Sequence, residues 1–323
     1  MNIPLTFLAL LLAELAYFRI ADRFNIIDKP NQRSSHTHIT LRGGGIVFYL
    51  GVILYFFHEG FQYPWFFAGL TLITLMSFAD DLKPQPARLR LPIHFIAMAL
   101  MFYQWGLFYY PWYYLLLALV ISTGILNAFN FMDGINGITG SYSLVVAGSL
   151  WLINTSYLYF VDNDLIFALI LALLIFNFFN FRTRAKCFAG DTGAFSAAFI
   201  LLFILGKLII KSEDFSYIVL LAVYGVDSVL TIIHRLILRR NIFKAHRKHV
   251  FQLMANELKI PHVLVSLFYA TLQTLITLGL IIFKAHSWGY LFTVIICLSM
   301  AYIWFIRRYF HLHESKIIRV SGQ

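Results

Sequence analysis

Residues 194–210 read AFSAAFILLFILGKLII. One lysine interrupts an otherwise uncharged run close to the roughly 20 residues that a membrane helix needs. Its apolar residues do not alternate with period two, so a barrel strand is excluded. Comparable runs fall at 3–20, 43–58, 64–79, 91–106, 111–128, 144–160, 165–181, 215–234, 262–283 and 288–306. Together they predict an all-α polytopic transmembrane bundle of about eleven spans, or ten if the short, glycine-initiated run at 43–58 does not cross. Composition agrees. The 323 residues are 60% hydrophobic and 12% charged, against about half and a quarter in soluble proteins. A water-soluble enzyme and a disordered chain are excluded. Two cysteines also exclude a disulfide scaffold and a cysteine-built zinc site. The chain reads as one integral-membrane domain, 1–323, with polar loops at 21–45, 80–91, 128–143, 182–193 and 235–261.

The net charge of +10 reads as sidedness and not as nucleic-acid binding. Of the 25 Lys and Arg residues, all but Lys207, Lys211 and Lys284 fall on one side of an eleven-span arrangement. The positive-inside rule makes that side cytoplasmic. The N-terminus is then periplasmic, the C-terminus cytoplasmic, and the protein a multi-pass component of a bacterial inner membrane. The opposite loops are short and aromatic, as expected of an interfacial belt. The first run has no basic leader and carries Glu14, so it reads as a retained helix and not a cleaved signal.

The informative acids and amides sit at span ends on the basic side. Four separate loops converge there, which suits a reaction between a soluble compound and one held in the bilayer. A transporter or flippase, the alternative, would more often place its carboxylates near the midplane. Asp80 and Asp81 are adjacent carboxylates that repel each other unless a cation neutralises them. They read either as a solvated helix terminus or as oxygen ligands of the kind Mg²⁺ prefers. Lys83, Arg88 and Arg90 follow, and carboxylates for a metal beside cations for phosphate are the parts of phosphoryl transfer.

Residues 127–137 read NAFNFMDGING. Asn127 and Asn130 share a helix face, and Asp133 continues it by another turn. Gly134, Gly137 and Gly140 then permit a sharp turn or a close approach to a ligand. Residues 188–193, FAGDTG, form a turn into the eighth span, where Asp191 is a helix cap, a third carboxylate, or both. His246 and His249 lie among Arg and Lys, which oppose a metal; they read as donors to phosphate or nucleotide, or as part of a basic segment at the membrane surface. In 42–45, RGGG, Arg42 precedes three glycines that form an anion-binding nest or a hinge.

In order, spacing and span context these motifs resemble those of the polyprenyl-phosphate N-acetylhexosamine-1-phosphate transferases. The resemblance covers nearly the whole chain: RGGG at 42–45, Asp80-Asp81 with Arg88 and Arg90, residues 127–137, GDTG at 190–193, Asp227 with Arg235, and His246 with His249. The stretch AHRKHVFQ at 245–252 is similar to the O-antigen-initiating branch. There are departures. Asn136 stands where bacterial relatives usually carry Asp, Lys248 replaces the middle histidine of the lipid I branch, and Ile39-Thr40-Leu41 replaces a Pro-Thr-Pro. The CDP-alcohol phosphatidyltransferase pattern fails, because Asp133-Gly134 is followed by Ile-Asn-Gly-Ile.

The resemblance implies transfer of an N-acetylhexosamine 1-phosphate from a UDP-sugar to undecaprenyl phosphate, with release of UMP. This would start a cell-surface polysaccharide such as O-antigen. It implies Mg²⁺, with Mn²⁺ an allowed substitute, held by Asp191 with Asn130. Asp80 and Asp81 would organise the metal and the lipid phosphate. Asn127, Asp133 and Asn136 would bind substrate, the latter two the nucleotide. His246 and His249 would reach the donor's phosphates or sugar, Arg88 and Arg90 the lipid phosphate, and Arg42 substrate. The partners are then the UDP-N-acetylhexosamine donor, the undecaprenyl phosphate acceptor and the bilayer, with no nucleic acid; a homodimer is left open. Because a phosphate monoester is mostly dianionic at pH 7, direct in-line attack is favoured over a phospho-enzyme on Asp80 or Asp81.

Overall fold

The computed structural model describes residues 1–30, 35, 38–240 and 247–321, with 313–321 as backbone only. Each of the eleven apolar runs contains a helix. In order these are α1 (Ile3–Arg23), α2 (Ile46–His58), α3 (Pro64–Leu82), α4 (Ala87–Trp105), α5 (Trp112–Met132), α6 (Ile138–Ser156), α7 (Asn163–Asn180) and α8 (Gly190–Ser212). A 3-10 turn (Phe215–Leu221) then leads into α9 (Ala222–Ile237), followed by a short α10 (Val250–Asn256), α11 (His262–Ile282) and α12 (Ser287–Ser321).

Among the described residues, eight helical segments are long and apolar enough to cross a membrane: α1, α3, α5, α7, α8, α11, Phe215–Ile237 and Lys284–Leu312. The 13 residues of α2 rise only about 20 Å, short of the ~30 Å hydrocarbon core. Helices α4 and α6 have 19 residues each. They carry more polar side chains, including Arg88, Arg90 and His94 in α4 and Ser141, Ser143 and Asn154 in α6. The all-α bundle is therefore observed, and length with apolarity supports eight of the eleven expected crossings.

The loops are shorter than composition suggests. The stretch expected as loop over 128–143 is helical except at 133–137, because α5 continues to Met132 and α6 begins at Ile138. Gly137, at φ +88, makes the turn. Gly140 is not part of that turn. It lies inside α6 against α7, where an added Cβ would stand 2.6 Å from Asn177 Oδ1. The stretch 235–261 contains α10, and the stretch 21–45 contains the antiparallel pair β1 (Ile27–Asp28) and β2 (Thr40–Leu41), with Ile27 opposite Leu41.

Helix α8 is the centre of the bundle, buried over nearly all of its first five turns and touched by α2, α3, α5 and α6. Small residues in its leading half let neighbouring backbones approach, as membrane helices require when apolar contact alone gives no preference over lipid. Thr74 of α3 and Ser196 of α8 share a buried hydrogen bond of 2.9 Å. At the N-cap of α2, Gly45 packs against Gly193, where a methyl on Gly193 would lie 2.7 Å from Gly45 Cα. Gly193→Ala should therefore lower thermal stability in detergent by about 1–3 kcal/mol, the usual scale of overpacking. Gly148→Ala, in α6 with open space around it, should be neutral or stabilising by up to about 1 kcal/mol. Equal melting temperatures for the two variants would refute the close-packing account.

Candidate active site

The C-terminus of α3, the N-terminus of α8 and the segment entering α2 meet at Asp81. Its side chain has no exposed surface. Oδ1 accepts from Asp191 N–H (2.9 Å) and from Arg42 Nε (2.7 Å). Oδ2 accepts from Thr192 N–H (2.9 Å) and Thr192 Oγ1 (2.6 Å). Asp81 thus caps α8 from another helix, meeting amides that have no partner inside α8 and a helix end that favours negative charge. Gly190 at φ +70 makes this contact possible; an added Cβ would lie 2.5 Å from Asp81 Oδ2.

The triple glycine serves the same junction. Gly44 N–H donates to Phe188 O (2.9 Å) and Gly45 N–H to Ala189 O (3.3 Å), so these amides are engaged within the protein rather than presented as an anion nest. Leu41 bridges Cys187 in parallel, and Phe188 N–H donates to Leu41 O (2.8 Å). The loop before α8 is thus pinned beside β2 at Cys187 and Phe188.

The other two carboxylates are placed differently. Asp80 accepts from Gln85 N–H (2.6 Å) and Arg90 Nη1 (3.1 Å) and has little exposed surface. Asp191 is the more accessible, 22% exposed. Its Oδ1 receives Asn130 Nδ2 (3.1 Å) and Arg42 Nη2 (3.4 Å). The guanidinium of Arg42 therefore bridges Asp81 and Asp191. Burial works against that charge, but Asp81, Asp191 and Asp28 outweigh it, and the Arg42 pKa is raised.

Beside Asp191 opens a polar cavity of about 320 Å³, at the lower end of the size of small-molecule sites. Of the expected residues, Arg42, Asn130, Asp133, Asn136 and Asp191 line it. Asp133 accepts from Thr139 Oγ1 (2.7 Å); burial pushes its carboxyl up to about 6, against the pull of that hydroxyl. Asn136 is a clamp. Its Nδ2 donates to Arg182 O (2.9 Å) and Thr183 O (3.1 Å). Next to it Gly137 N–H donates to Asn180 Oδ1 (2.7 Å). A carboxylate has no proton for two carbonyls, which explains why Asn and not Asp stands here.

Other expected residues lie elsewhere. Arg88 is on the exposed first turn of α4, and Arg90 is engaged by Asp80. Asn127 donates to Thr123 O (2.8 Å) and faces an apolar groove on the other side of α5. His249 is buried, caps α10, and places Nδ1 3.2 Å from Asp227 Oδ1; it does not line the cavity. His246 lies outside the described residues. Lys248 is buried with its ammonium 5.0 Å above the Phe310 ring. Sequence reasoning missed Asp28, Ser35, Asn180, Gln252 and His262 as lining residues. None belongs to a motif except Gln252, one turn after His249.

Among the described residues, no group of three or more His, Cys, Asp or Glu is arranged to hold a metal. Asp81 is saturated by donors. Mg²⁺, however, is commonly held by one or two carboxylates plus substrate phosphates. Asp191, with Asn130 turned to present its carbonyl, fits that partial donor set.

The two roles separate experimentally. Asp81→Asn removes a charged acceptor from four buried donors and should cost about 3 kcal/mol or more of stability. Asp191→Asn should leave the melting temperature nearly unchanged. Asn136→Asp, which sets a carboxylate against two carbonyls, should cost about 1–3 kcal/mol. Thermal melts of the three purified variants check this, and an Asp191→Asn protein as unstable as Asp81→Asn would overturn it.

Residues 63–209 match the glycosyl transferase family 4 model, a stretch running from Asp80 through Asp191. The chain is 26% identical over 255 residues to a probable undecaprenyl-phosphate N-acetylglucosaminyl 1-phosphate transferase of Bacillus subtilis, covering 72% of this chain and 70% of that one. It is 25% identical over 264 residues to the undecaprenyl-phosphate alpha-N-acetylglucosaminyl 1-phosphate transferase of Escherichia coli K12, covering 73% and 71%. A phospho-N-acetylmuramoyl-pentapeptide-transferase of Thermotoga maritima is 32% identical over 147 residues, 43% of this chain and 44% of that one. Residues 63–209, which carry Asp80, Asp81, Asn130, Asp133, Asn136 and Asp191, thus match glycosyl transferase family 4, and the chain is similar to undecaprenyl-phosphate N-acetylhexosamine-1-phosphate transferases.

Proposed function

We propose that this protein transfers an N-acetylhexosamine 1-phosphate from a UDP-sugar to undecaprenyl phosphate, releasing UMP and starting a cell-surface polysaccharide of the O-antigen kind. One observation carries the reading. The last turns of α5 separate a polar cavity holding Asp191 and Asn130 from an apolar groove of about 830 Å³ faced by Asn127. A soluble nucleotide sugar and a polyisoprenoid chain need such a pair of neighbouring sites. The distribution of Lys and Arg supports eleven crossings, a periplasmic N-terminus and a cavity on the cytoplasmic face of the inner membrane.

In this reading the donor lies in the polar cavity. Arg42 receives its diphosphate, and Asp133 and Asn136 contact the nucleotide. Asp191, with Asn130, would hold Mg²⁺, which when bound neutralises charge on the diphosphate and on departing UMP. Asp81 keeps Asp191 and Arg42 in place without touching substrate. Asp80, pinned by Arg90, adds negative potential beside Asp191. The acceptor phosphate, already dianionic at pH 7, attacks the sugar-bearing phosphorus in line, so no side chain has to remove a proton.

Purified protein with Mg²⁺, undecaprenyl phosphate and a panel of UDP-sugars should release UMP only when lipid and a UDP-N-acetylhexosamine are both present. Release of UMP without a lipid-linked product would sink the reading. Asp191→Asn should lower turnover by about 10³-fold or more, the scale of several kcal/mol. Asp133 gives a pH signature. If its carboxylate accepts a hydrogen bond from the donor, affinity weakens as pH falls through about 6, because the protonated form can no longer accept at that oxygen. Donor titrations at pH 5 to 8 would show this, and Asp133→Asn should flatten the profile.

A further inference from the structure

The proposed transfer leaves five lining residues of the polar cavity unused. Most of their polar atoms are already engaged. Asn180 accepts from Gly137 N–H and gives its own Nδ2 to Cys187 O (2.7 Å). Ser35 accepts from Asn256 Nδ2 (3.1 Å), and His262 Nδ1 from Asn136 N–H (3.5 Å). Gln252 differs. It stands in the first turn of α10, where its Oε1 accepts from the backbone N–H of His249 (3.4 Å) and completes a capping box. That bond fixes which way the amide faces. Nε2 turns to Gly134, where an added Cβ would stand 3.4 Å from it. With no side chain at 134, the amide nitrogen borders the open cavity. The helix that presents it is anchored. Val250 N–H donates to Asp227 Oδ1 (3.2 Å), and the Phe251 ring lies against Gly134.

Capping alone does not select glutamine here. Glutamate serves a capping box equally well, and its charge would be favoured in a first helical turn. What glutamate lacks is a proton. It would also add a fourth carboxylate to a lining in which Asp28, Asp133 and Asp191 already face Arg42, opposite an anionic substrate. The amide thus gives α10 a weaker start and the cavity a neutral N–H.

We propose that Gln252 recognises the nucleotide sugar: its Nε2 N–H binds a carbonyl oxygen of that substrate. An amide whose oxygen is engaged elsewhere can only donate, so it matches a group that only accepts. Two parts of a UDP-N-acetylhexosamine carry such an oxygen, the uracil ring and the acetamido group. The phosphates are met more strongly by Arg42, and hydroxyls can turn to the carboxylates. Gln252 is a binding residue and takes no part in bond making. The assignment rests on the transferase reading above, and the test separates the two.

Isothermal titration of the full-length protein in detergent with Mg²⁺ would compare UDP, UDP-glucose and UDP-N-acetylglucosamine. Gln252→Met keeps the volume and removes the amide. Gln252→Glu keeps the cap and lacks the N–H. Both should weaken binding, the Met variant by about three- to tenfold, the scale of one neutral hydrogen bond. In the Met variant, a loss confined to UDP-N-acetylglucosamine places the carbonyl on the acetamido group, and a loss shared by all three ligands places it on uracil. A loss for both sugars but not for UDP points to a hydroxyl and overturns the carbonyl assignment. Wild-type affinities in the Met variant overturn it. So do wild-type affinities in the Glu variant, since capping α10 would then be the whole role. Where the Met variant does not fold, Gln252→Leu carries the same comparison. Each of these results leaves the transferase reading intact. A wild type that binds none of the three ligands overturns both.

Discussion

The arrangement at this end of the bundle depends on one buried carboxylate. Asp81 closes the N-terminus of α8, holds the guanidinium of Arg42, and so ties α3, α8 and the segment entering α2 into a single junction. A carboxylate with no exposed surface is tolerable only when its lone pairs are met; here four donors meet them, two of them leading amides of a helix whose dipole already favours negative charge. The junction also needs missing side chains. Gly190 admits the carboxylate, and Gly45 with Gly193 lets the start of α2 and the first turn of α8 touch. Small residues and one charge thus act as a unit: remove either and the α8 terminus loses its seat.

Once Asp81 is committed to the scaffold, the three carboxylates divide their work by environment. Asp80, its neighbour in sequence, lies beside Asp191 as well but is fixed by Arg90 and Gln85. Asp191 is presented by the capped helix to an open cavity, steadied from either side by Asn130 and Arg42. Two acids adjacent in sequence therefore take different partners, and the one most open to the cavity comes from 110 residues away. The same logic accounts for Asn136, whose protons join two loops at a position where a carboxylate would leave both carbonyls unmet.

Much of the fold was legible, because an uncharged run of helix length has few other uses. Its limits were less so. Gly140 looked like part of a turn and is a packing contact between α6 and α7. The short α10 was invisible inside a basic stretch. At the site, motifs marked the right neighbourhood: Arg42, Asn130, Asp133, Asn136 and Asp191 do share a cavity. What spacing does not report is which polar group is already satisfied. His249 was read as a donor to substrate, yet it caps α10 and faces Asp227; Asp81 was read beside Asp80 as a metal organiser, yet backbone amides from another helix take its oxygens. Asp28 and His262 reach the cavity only through the tertiary fold, from positions with no pattern around them.

The choice of amides at the end of α5 has a physical rationale. This segment has to border water on one side and hydrocarbon on the other, where a carboxylate facing lipid would be costly. An amide is neutral, and it both donates and accepts. Asn130 can complement Asp191 on the wet side, and Asn127 can satisfy itself on the backbone at Thr123. Charge is then confined to the polar cavity, where Asp191 and Arg42 sit, and the turn of α5 between cavity and groove carries none.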